Sequence, residues 1–570
     1  MNILLLNLTR FGDLLQSQAA IADLARQGHA VAVLCLENFA EAATLLSGVS
    51  RVFSLPGAAL LSSLAERKNR RAAAEGWRRS LARLVGLRDT IQSEFAPDLV
   101  CNLTPSLSAR LLARFLAGDG PCTGFAVDAY GFGVNASPWA TFLQGAGASR
   151  GVSPFNVVDI FRSVVASGVT DRERSAESSA DVVFQPADAD LRLPGEKERG
   201  VMLDRLLSLS PPDCQGYIAL QLGASEERRR WPVPYFALLG DRLWREERMC
   251  PVLLGSGGEK MLAQRYTEAA GEPFIDLCGE TGLTDLAAIL CSCKMIISND
   301  TGTMHYAAGL NIPVLAVFLA TAQPFDTGPY RARSCSVEPD LSCHPCAFGT
   351  ACASLVPVPQ VMTSSGEFQQ DHCEACRLAI HPERMAALAL SCLRLGEWSL
   401  QDAEEHPSAR VWISEYDSRG FMSLGSLSGH DSEVRSGWLL LQRHHMRQFL
   451  DRSRNVPFQP CPLPSPVSLP KEEGQALFGS LAAVSALLEV MLQQGRVLGV
   501  RPLPMMRQRF LSSWQKVHER LKSSPALGAL ALLWMQETQT EGGELASVLE
   551  TAEHFRILLG ALAADMSVAL

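Results

Sequence analysis

The sequence predicts an α/β protein in which two doubly wound, Rossmann-like domains face a cleft and a mainly helical appendage follows at the C-terminus. Three observations lead there. Short apolar β-type runs alternate with helical stretches from residue 2 to about residue 168, the alternation restarts after a polar segment at 171–200, and the last hundred residues carry amphipathic helical patterns with few turn signals. Strands alternating with helices imply parallel sheets covered by helices on both faces.

In the first domain, residues 1–170, the runs Ile3–Leu8, Ala30–Leu36, Arg51–Leu55 and Asp98–Leu103 have the near-continuous apolar character of strands buried on both faces. A polar linker spans 171–200. In the second domain, 201–395, Tyr217–Leu222, Cys250–Gly255, Phe274–Leu277, Met295–Ser298 and Pro313–Phe318 read as strands and Pro382–Leu395 as a helix, with a cysteine- and proline-rich insertion over 335–376. Residues 396–470 read as an irregular connection. It contains a strand pair at Arg410–Leu424 around Asp417-Ser418-Arg419-Gly420 and ends in six prolines from Pro457 to Pro470, a stiff linker. The helical domain 471–570 shows no catalytic constellation, and its default reading is assembly or partner docking. No internal repeat or fixed period is present.

A chain of 570 residues exceeds one ordinary core, so two or three domains are expected. The net charge of -9 argues against a general nucleic-acid binder, which needs a basic surface. The run that follows Met1 has no basic residue before it and is too short for a signal segment or a span, and Leu477–Leu492, interrupted by Ser480, Ser485 and Glu489, reads as a buried helix. A cytoplasmic protein is therefore expected. Its sixteen cysteines would be mostly reduced, and clustered ones are metal candidates before disulfide candidates.

The most specific chemistry lies where the strand ending at Ser298 runs through Asn299-Asp300-Thr301-Gly302-Thr303-Met304-His305 into a helix. Such a junction presents free backbone N–H groups and a positive helix end to an anion, and a diphosphate fits there. Asp300 and Thr301 suit capping, Gly302 lets a phosphate approach the backbone, and His305 stands one turn on as a donor. The segment alone is equally an ordinary N-cap with a half-buried histidine. In the first domain, Leu8-Thr9-Arg10-Phe11-Gly12-Asp13 sets Asp13 at the carboxyl end of a strand, facing the cleft, as a general base or as a cap of the first helix. The absence of Gly-x-Gly-x-x-Gly there argues against nicotinamide binding.

Around the Asp300 segment stand Gly223-Ala224-Ser225, Arg229-Arg230-Trp231-Pro232, Gly255-Ser256-Gly257-Gly258-Glu259, Leu277-Cys278-Gly279 and Leu283. In this order and spacing the sequence resembles the family 9 glycosyltransferases, the lipopolysaccharide heptosyltransferases, over roughly residues 1–395. The resemblance implies a GT-B fold, an ADP-heptose donor, and transfer to a lipid-linked or protein glycan acceptor. Carried over by position, it implies Asp13 as the base, and Ser225, Arg229, Glu259, Asp300, Thr301, Gly302 and His305 on the donor; Arg10, beside Asp13, reads as a contact to a phosphate or to an acceptor carboxylate, or equally as a solvated loop residue. Glu259 would bind the ribose and Arg229 the diphosphate. The family usually has lysine at that position, and arginine keeps the charge with a bulkier, bidentate head. The implied reaction is a single displacement with inversion that requires no metal ion, and Asp188-Ala189-Asp190, although it matches a metal-binding Asp-x-Asp, sits in the polar linker and reads as coincidence.

Cys343-x-x-Cys346 and Cys373-x-x-Cys376, with Cys352 between, have the spacing of a four-thiolate zinc or iron site, and Cys352 or Cys335 would serve as a substitute ligand. Reduced free thiols, or disulfides formed on isolation, are the alternative. Relatives of the family carry cysteine clusters at this position, which implies a structural metal. Between Arg67 and Arg88, eight basic residues against Glu75 alone describe a basic amphipathic helix around Trp77, suited to an anionic inner-membrane surface or simply solvated. His444 and His445 are adjacent on a predicted helix, so they are expected to point apart. A protein O-heptosyltransferase is the rival enzyme reading. A non-catalytic scaffold bearing a metal is the rival from another class.

Overall fold

The computed structural model describes residues 1–65, 70–148, 151–173, 189–346, 349–352, 354–357, 372–400, 409–452, 457–540 and 544–568. Asp188, with the 174–188 half of the 171–200 linker, and the side chains of Arg67, Lys68, Arg70 and Arg71 lie outside the described residues.

The first sheet uses β1 (Asn2–Leu6), β2 (Ala30–Leu36), β3 (Val49–Leu55), β4 (Leu99–Asn102), β5 (Cys122–Val127) and β6 (Gly133–Asn135) in the order β3-β2-β1-β4-β5-β6. β1 pairs in parallel with β2 and β4, and Ile3 to Leu6 are fully buried, as an apolar run covered on both faces must be. Neighbours lie on opposite sides of β1, and the strand order reverses there. A crevice forms at such a switch point, outside the carboxyl ends of the strands.

The second sheet joins β7 (Gly216–Gln221), β8 (Met249–Leu254), β9 (Ile275–Asp276), β10 (Cys293–Asn299), β11 (Val314–Val317) and β12 (Cys335–Pro339). Two short strands, β13 (Leu355–Pro357) and β14 (His372–Glu374), pair separately within the cysteine-rich segment, and β15 (Ala409–Tyr416) and β16 (Met422–Ser426) extend the main sheet antiparallel beyond β12. Its order is β16-β15-β12-β11-β10-β7-β8-β9, so the reversal falls between β7 and β10. The loops that leave those two strands carry Gly223 and Asp300.

Two placements correct the sequence reading. Cys335 belongs to β12, is fully buried, and is a core residue rather than part of an insertion. The mixed letters of Cys-Ser-Val-Glu-Pro conceal a strand because Glu338 is buried with a partner, accepting from Trp412 Nε1 at 3.0 Å. Likewise β15 and β16 are sheet strands and not an irregular connection, although the hairpin itself lies where the sequence set it.

The chain divides into two compact units: Met1–Thr123 with Asn156–Arg162 and Phe184–Ser428, and Gly124–Phe155 with Ser163–Val183 and Gly429–Leu570. These boundaries differ from those drawn at changes of composition, because partners within the second unit are far apart in sequence. Trp139 Nε1 donates to Asp451 Oδ1 at 2.7 Å, and a Cβ at Gly145 would meet the Leu532 side chain at 2.7 Å, so the helix Pro138–Ala148 packs against Gly528–Thr540. The second unit also contains the helices Val434–Leu450, Lys471–Val500, Pro504–Lys522 and Leu545–Ala564. Lys471–Val500 is long and apolar enough to cross a membrane by length and composition, and a third of its most apolar window is buried. In the first unit the basic helix is Arg70–Glu94, with Trp77 66% exposed rather than packed.

Candidate functional site

β10 delivers Asp300 and Thr301 to the head of the eight-residue helix Gly302–Gly309. Thr301 is the N-cap residue in extended conformation, and its side chain makes no capping bond, so the first N–H groups of the helix remain available to an anion. Asp300 is buried at 8% exposure and is paired with Arg229, whose guanidinium is 3% exposed and also donates to Ser225 Oγ at 3.0 Å. Arg229 Nε is buried without a hydrogen-bond partner among the described residues. The cation is thus held at the mouth of the helix with a donor to spare.

Local sequence explains how Arg229 is aimed. Asn299, fully buried, accepts from the Trp231 N–H at 2.8 Å through Oδ1 and donates through Nδ2 to the carbonyls of Leu222 at 2.9 Å and Gly223 at 3.1 Å. One side chain therefore ties the loop after β7 to the Arg229 loop. Trp231 is itself buried, donating to the Ile380 carbonyl at 2.9 Å and meeting Phe236 edge-on. Burial of such a ring stabilises by roughly 2–3 kcal/mol, which anchors the Arg-x-Trp-Pro segment.

Glu259 occupies the neighbouring corner. Oε2 accepts from the Ser256 N–H at 2.6 Å and hydroxyl at 2.9 Å, and Oε1 accepts from Gln221 Nε2 at 3.2 Å. Gln221 Oε1 in turn accepts from Thr303 Oγ1 at 3.1 Å, in the first turn of the Gly302 helix. The carboxylate and the helix head are therefore held in register by one amide. Gly223 is required here: a Cβ on it would fall 1.3 Å from Glu259 Oε1.

From the first sheet, the loop after β1 brings Arg10 to the N-cap of the short helix Phe11–Gln16 and Asp13 to its first turn. Asn7 Nδ2 donates to the Asp13 carbonyl at 2.8 Å, and Asp13 Oδ2 accepts from the Arg10 N–H at 3.3 Å. Asp13 therefore caps this helix, and it stays partly exposed; Arg10 is exposed. Both halves of the first unit meet at this point. A Cβ on Gly12 would sit 3.3 Å from Gly302 Cα and 3.3 Å from His305 Cδ2, and one on Gly302 would strike the Phe11 ring at 2.6 Å. Phe11 also meets Tyr306 edge-on, with centroids 5.3 Å apart. A cavity of about 20 Å³ lies beside His305, lined by Leu15, Gln16, Val158, Leu191 and Tyr330, and Gln16 Nε2 is buried there without a partner among the described residues.

Asp13, Ser225, Arg229, Asp300, Thr301, Gly302 and His305 stand on loops or helix heads at the carboxyl ends of strands flanking the two switch points, and Glu259 follows β8, one strand further out. Sequence reasoning missed Asn7, Gln221 and Asn299. Each is a terminal strand residue or its immediate follower, buried and polar, and a buried polar letter at a strand end is the signal that would have found them. It missed Glu41 too, whose carboxylate accepts the Thr284 N–H at 2.9 Å at the head of the helix Leu283–Ser292. A hydrogen bond from the Thr284 side chain, with smaller help from the backbone donors of Thr284 and Leu283, holds the Glu41 carboxyl below its ordinary value.

The cysteine segment abuts the same loops. The Cys346 N–H donates to the Ala320 carbonyl at 2.8 Å, Arg377 Nε to the Arg230 carbonyl at 3.0 Å, and Arg228 Nη1 to the Thr350 carbonyl at 3.0 Å. Cys373 and Cys376 are buried and Cys343 is exposed. Burial pushes the Cys376 thiol up to about 11, with a smaller upward effect from Cys346 and Cys352. Edges of a tetrahedral zinc–thiolate site are about 3.8 Å, from a Zn–S bond near 2.3 Å. Among the described residues, no three of these sulfurs lie within 4.8 Å of one another. Cys343, Cys346, Cys373 and Cys376 as they stand therefore do not fit a closed site. In the second unit, His444, His445 and Asp565 bring a ligand atom each within 4.8 Å, contrary to the expectation that the two rings diverge. His445 Nε2 and Asp565 Oδ2 are 2.8 Å apart, which ties the end of the chain to the helix Val434–Leu450.

Residues 188–353 match the profile of Glycosyltransferase family 9 (heptosyltransferase). Over 102 residues the chain is 35% identical to lipopolysaccharide heptosyltransferase 2 of Escherichia coli K12, a stretch covering 17% of this chain and 29% of that protein's length. Among solved structures it is similar to E. coli ADP-heptose LPS heptosyltransferase II at 19% identity, covering 70% of this chain and 99% of that one, with a TM-score of 0.45. It is also similar to E. coli heptosyltransferase WaaC with ADP at 18% identity, covering 58% and 91%, with a TM-score of 0.41.

Proposed function

We propose that this chain, whose residues 188–353 are a glycosyltransferase family 9 domain, is an inverting transferase that moves a heptose or related sugar from an ADP-activated donor to a lipopolysaccharide core or similar surface-glycan acceptor. The observation that carries the reading is that Gly12, next to Asp13 in sequence, packs against Gly302 and His305 at the open head of the helix that follows Asp300, itself paired with Arg229. In this reading Glu259 accepts from the ribose hydroxyls, and the N–H groups at the helix head, with Arg229 and His305, receive the diphosphate. Asp13 takes the acceptor's hydroxyl proton as that oxygen bonds to the anomeric carbon. The bond from that carbon to the phosphate oxygen breaks on the opposite face, and its electron pair leaves with ADP, whose charge Arg229 and the helix dipole stabilise.

Each step asks of these residues only binding, orientation and one proton transfer. Cytoplasmic work at the inner membrane face belongs to the same reading. A structural zinc or iron on the cysteine segment would require its thiols to draw together, and no step depends on it.

The test separates binding from chemistry. Wild type and Asp13→Asn are compared for thermal stabilisation by a panel of nucleotide sugars and for transfer to a lipopolysaccharide core acceptor. The expected result is equal stabilisation by ADP-heptose, with turnover of the variant lower by about 10²–10⁴-fold. Full transfer by Asp13→Asn removes the base from the reading. A folded protein stabilised by no nucleotide sugar removes the function itself.

A further inference from the structure

The second unit carries a surface that the donor chemistry does not use. The helix Lys471–Val500 buries Leu477, Leu481, Val484, Leu488 and Leu498 in its bundle, an ordinary heptad-like stripe. The opposite face of a solvated bundle helix is normally polar. Here it presents Phe478, Ala482, Ala486, Val490 and Val497 beside the exposed Glu489 and Gln493, with Phe478, Val490 and Val497 44–48% exposed. The stripe runs into the turn that joins Pro504–Lys522, where Val500 is 81% exposed, Leu503 51%, Met505 57% and Leu511 54%.

Charge is distributed to match. From Val490 to His518 there is no aspartate or glutamate, whereas Arg496, Arg501, Arg507, Arg509 and Lys516 fall in that stretch of a chain whose net charge is -9. All four arginines are exposed. The backbone at the tip is also largely self-satisfied. Pro502 and Pro504 have no N–H, and the N–H groups of Arg501, Leu503, Met506 and Arg507 donate to carbonyls within the turn or its helices. Few donors would lose water if the tip entered a headgroup layer.

We propose that this helical hairpin tip, Val490–Leu511, is a docking surface for an anionic lipid bilayer. Apolar side chains ringed by arginines satisfy both halves of interfacial binding, burial below the headgroups and attraction to their charge. A second copy of the chain would bring four like charges against four. The surface stands independently of the donor-site reading.

Full-length protein is sedimented with vesicles of phosphatidylglycerol and phosphatidylcholine, and with phosphatidylcholine alone, at low and high salt. Two variants accompany it, Arg501→Glu/Arg507→Glu/Arg509→Glu and Leu503→Asp/Met505→Asp. All substituted side chains are exposed, and circular dichroism with thermal melts verifies that both variants fold. Wild type is expected to partition onto the anionic vesicles, less so at high salt, and each variant to bind about tenfold more weakly or worse. Equal binding to neutral vesicles, unchanged binding of folded variants, or no vesicle binding overturns the proposal. Concentration-dependent self-association that both variants abolish, without vesicle binding, assigns the surface to a second copy instead and also overturns it.

Discussion

Gly223→Ala tests the donor corner with a single methyl group. The added Cβ would lie 1.3 Å from Glu259 Oε1 and 2.5 Å from Cδ, so the carboxylate has to swing away. Swinging breaks its contact with Gln221 and disturbs the two from Ser256. Hydrogen bonds to a charged group contribute about 1.5–3 kcal/mol each. Because Glu259 is half-exposed, water replaces part of what is lost, and the lower end applies. Displacement also removes the acceptor assigned to the ribose. The affinity for ADP is therefore expected to fall by about ten- to a hundredfold, or about 1.4–2.7 kcal/mol, measured by titration calorimetry. Stability should change little, since Gly223 does not have a left-handed backbone and the displaced atoms end a flexible side chain. Glu259→Ala should weaken ADP by a similar factor. An ADP affinity within twofold of wild type in a folded Gly223→Ala protein would refute the assignment of Glu259 to the nucleotide.

Arg229→Lys keeps the charge facing Asp300 but loses the bond to Ser225, so kcat/KM should fall by about three- to tenfold, whereas Arg229→Ala removes the cation that faces the buried Asp300 carboxylate and should cost about 3 kcal/mol or more in thermal unfolding. Glu41 is held ionised at a helix head, so its contribution is complete above its unfolded value near 4.5 and is lost as pH falls through the lower folded value. Glu41→Gln should therefore be less stable by about 0.5 kcal/mol at neutral pH, and the gap should close in acid; a constant gap in pH-resolved melts contradicts this. In metal-free protein Cys343 should react with a thiol reagent within the mixing time, while Cys376, buried and pushed up to about 11, reacts only on unfolding. If zinc draws the segment closed, metal analysis should find one ion bound and Cys346→Ser should release it.

The central strands were legible because residues buried on both faces leave uninterrupted apolar runs: Ala30–Leu36 and the helix Pro382–Leu395 lie where the pattern set them. β12 was not legible, because its buried glutamate is satisfied by a tryptophan from β15, a partner that no window of sequence contains. The same distinction holds at the site. Asp300, Gly302 and Glu259 were picked out by their place in a family pattern spread along the chain, whereas Gln221 and Asn299 act by bridging segments between 38 and 82 residues away. Composition could not mark the second unit either. Helix Pro138–Ala148 reads as part of the first domain, and only its packing against Gly528–Thr540 assigns it elsewhere.

That interleaving bears on how the protein can be dissected. The chain passes from one unit to the other five times, at residues 123, 155, 162, 183 and 428. Removing everything after Ser428 would strip Trp139 of Asp451 and leave Gly145 facing the void of Leu532, so a shortened gene would encode a sticky fragment rather than a minimal enzyme. A cut that respects the units would have to carry Gly124–Phe155 along with Gly429–Leu570.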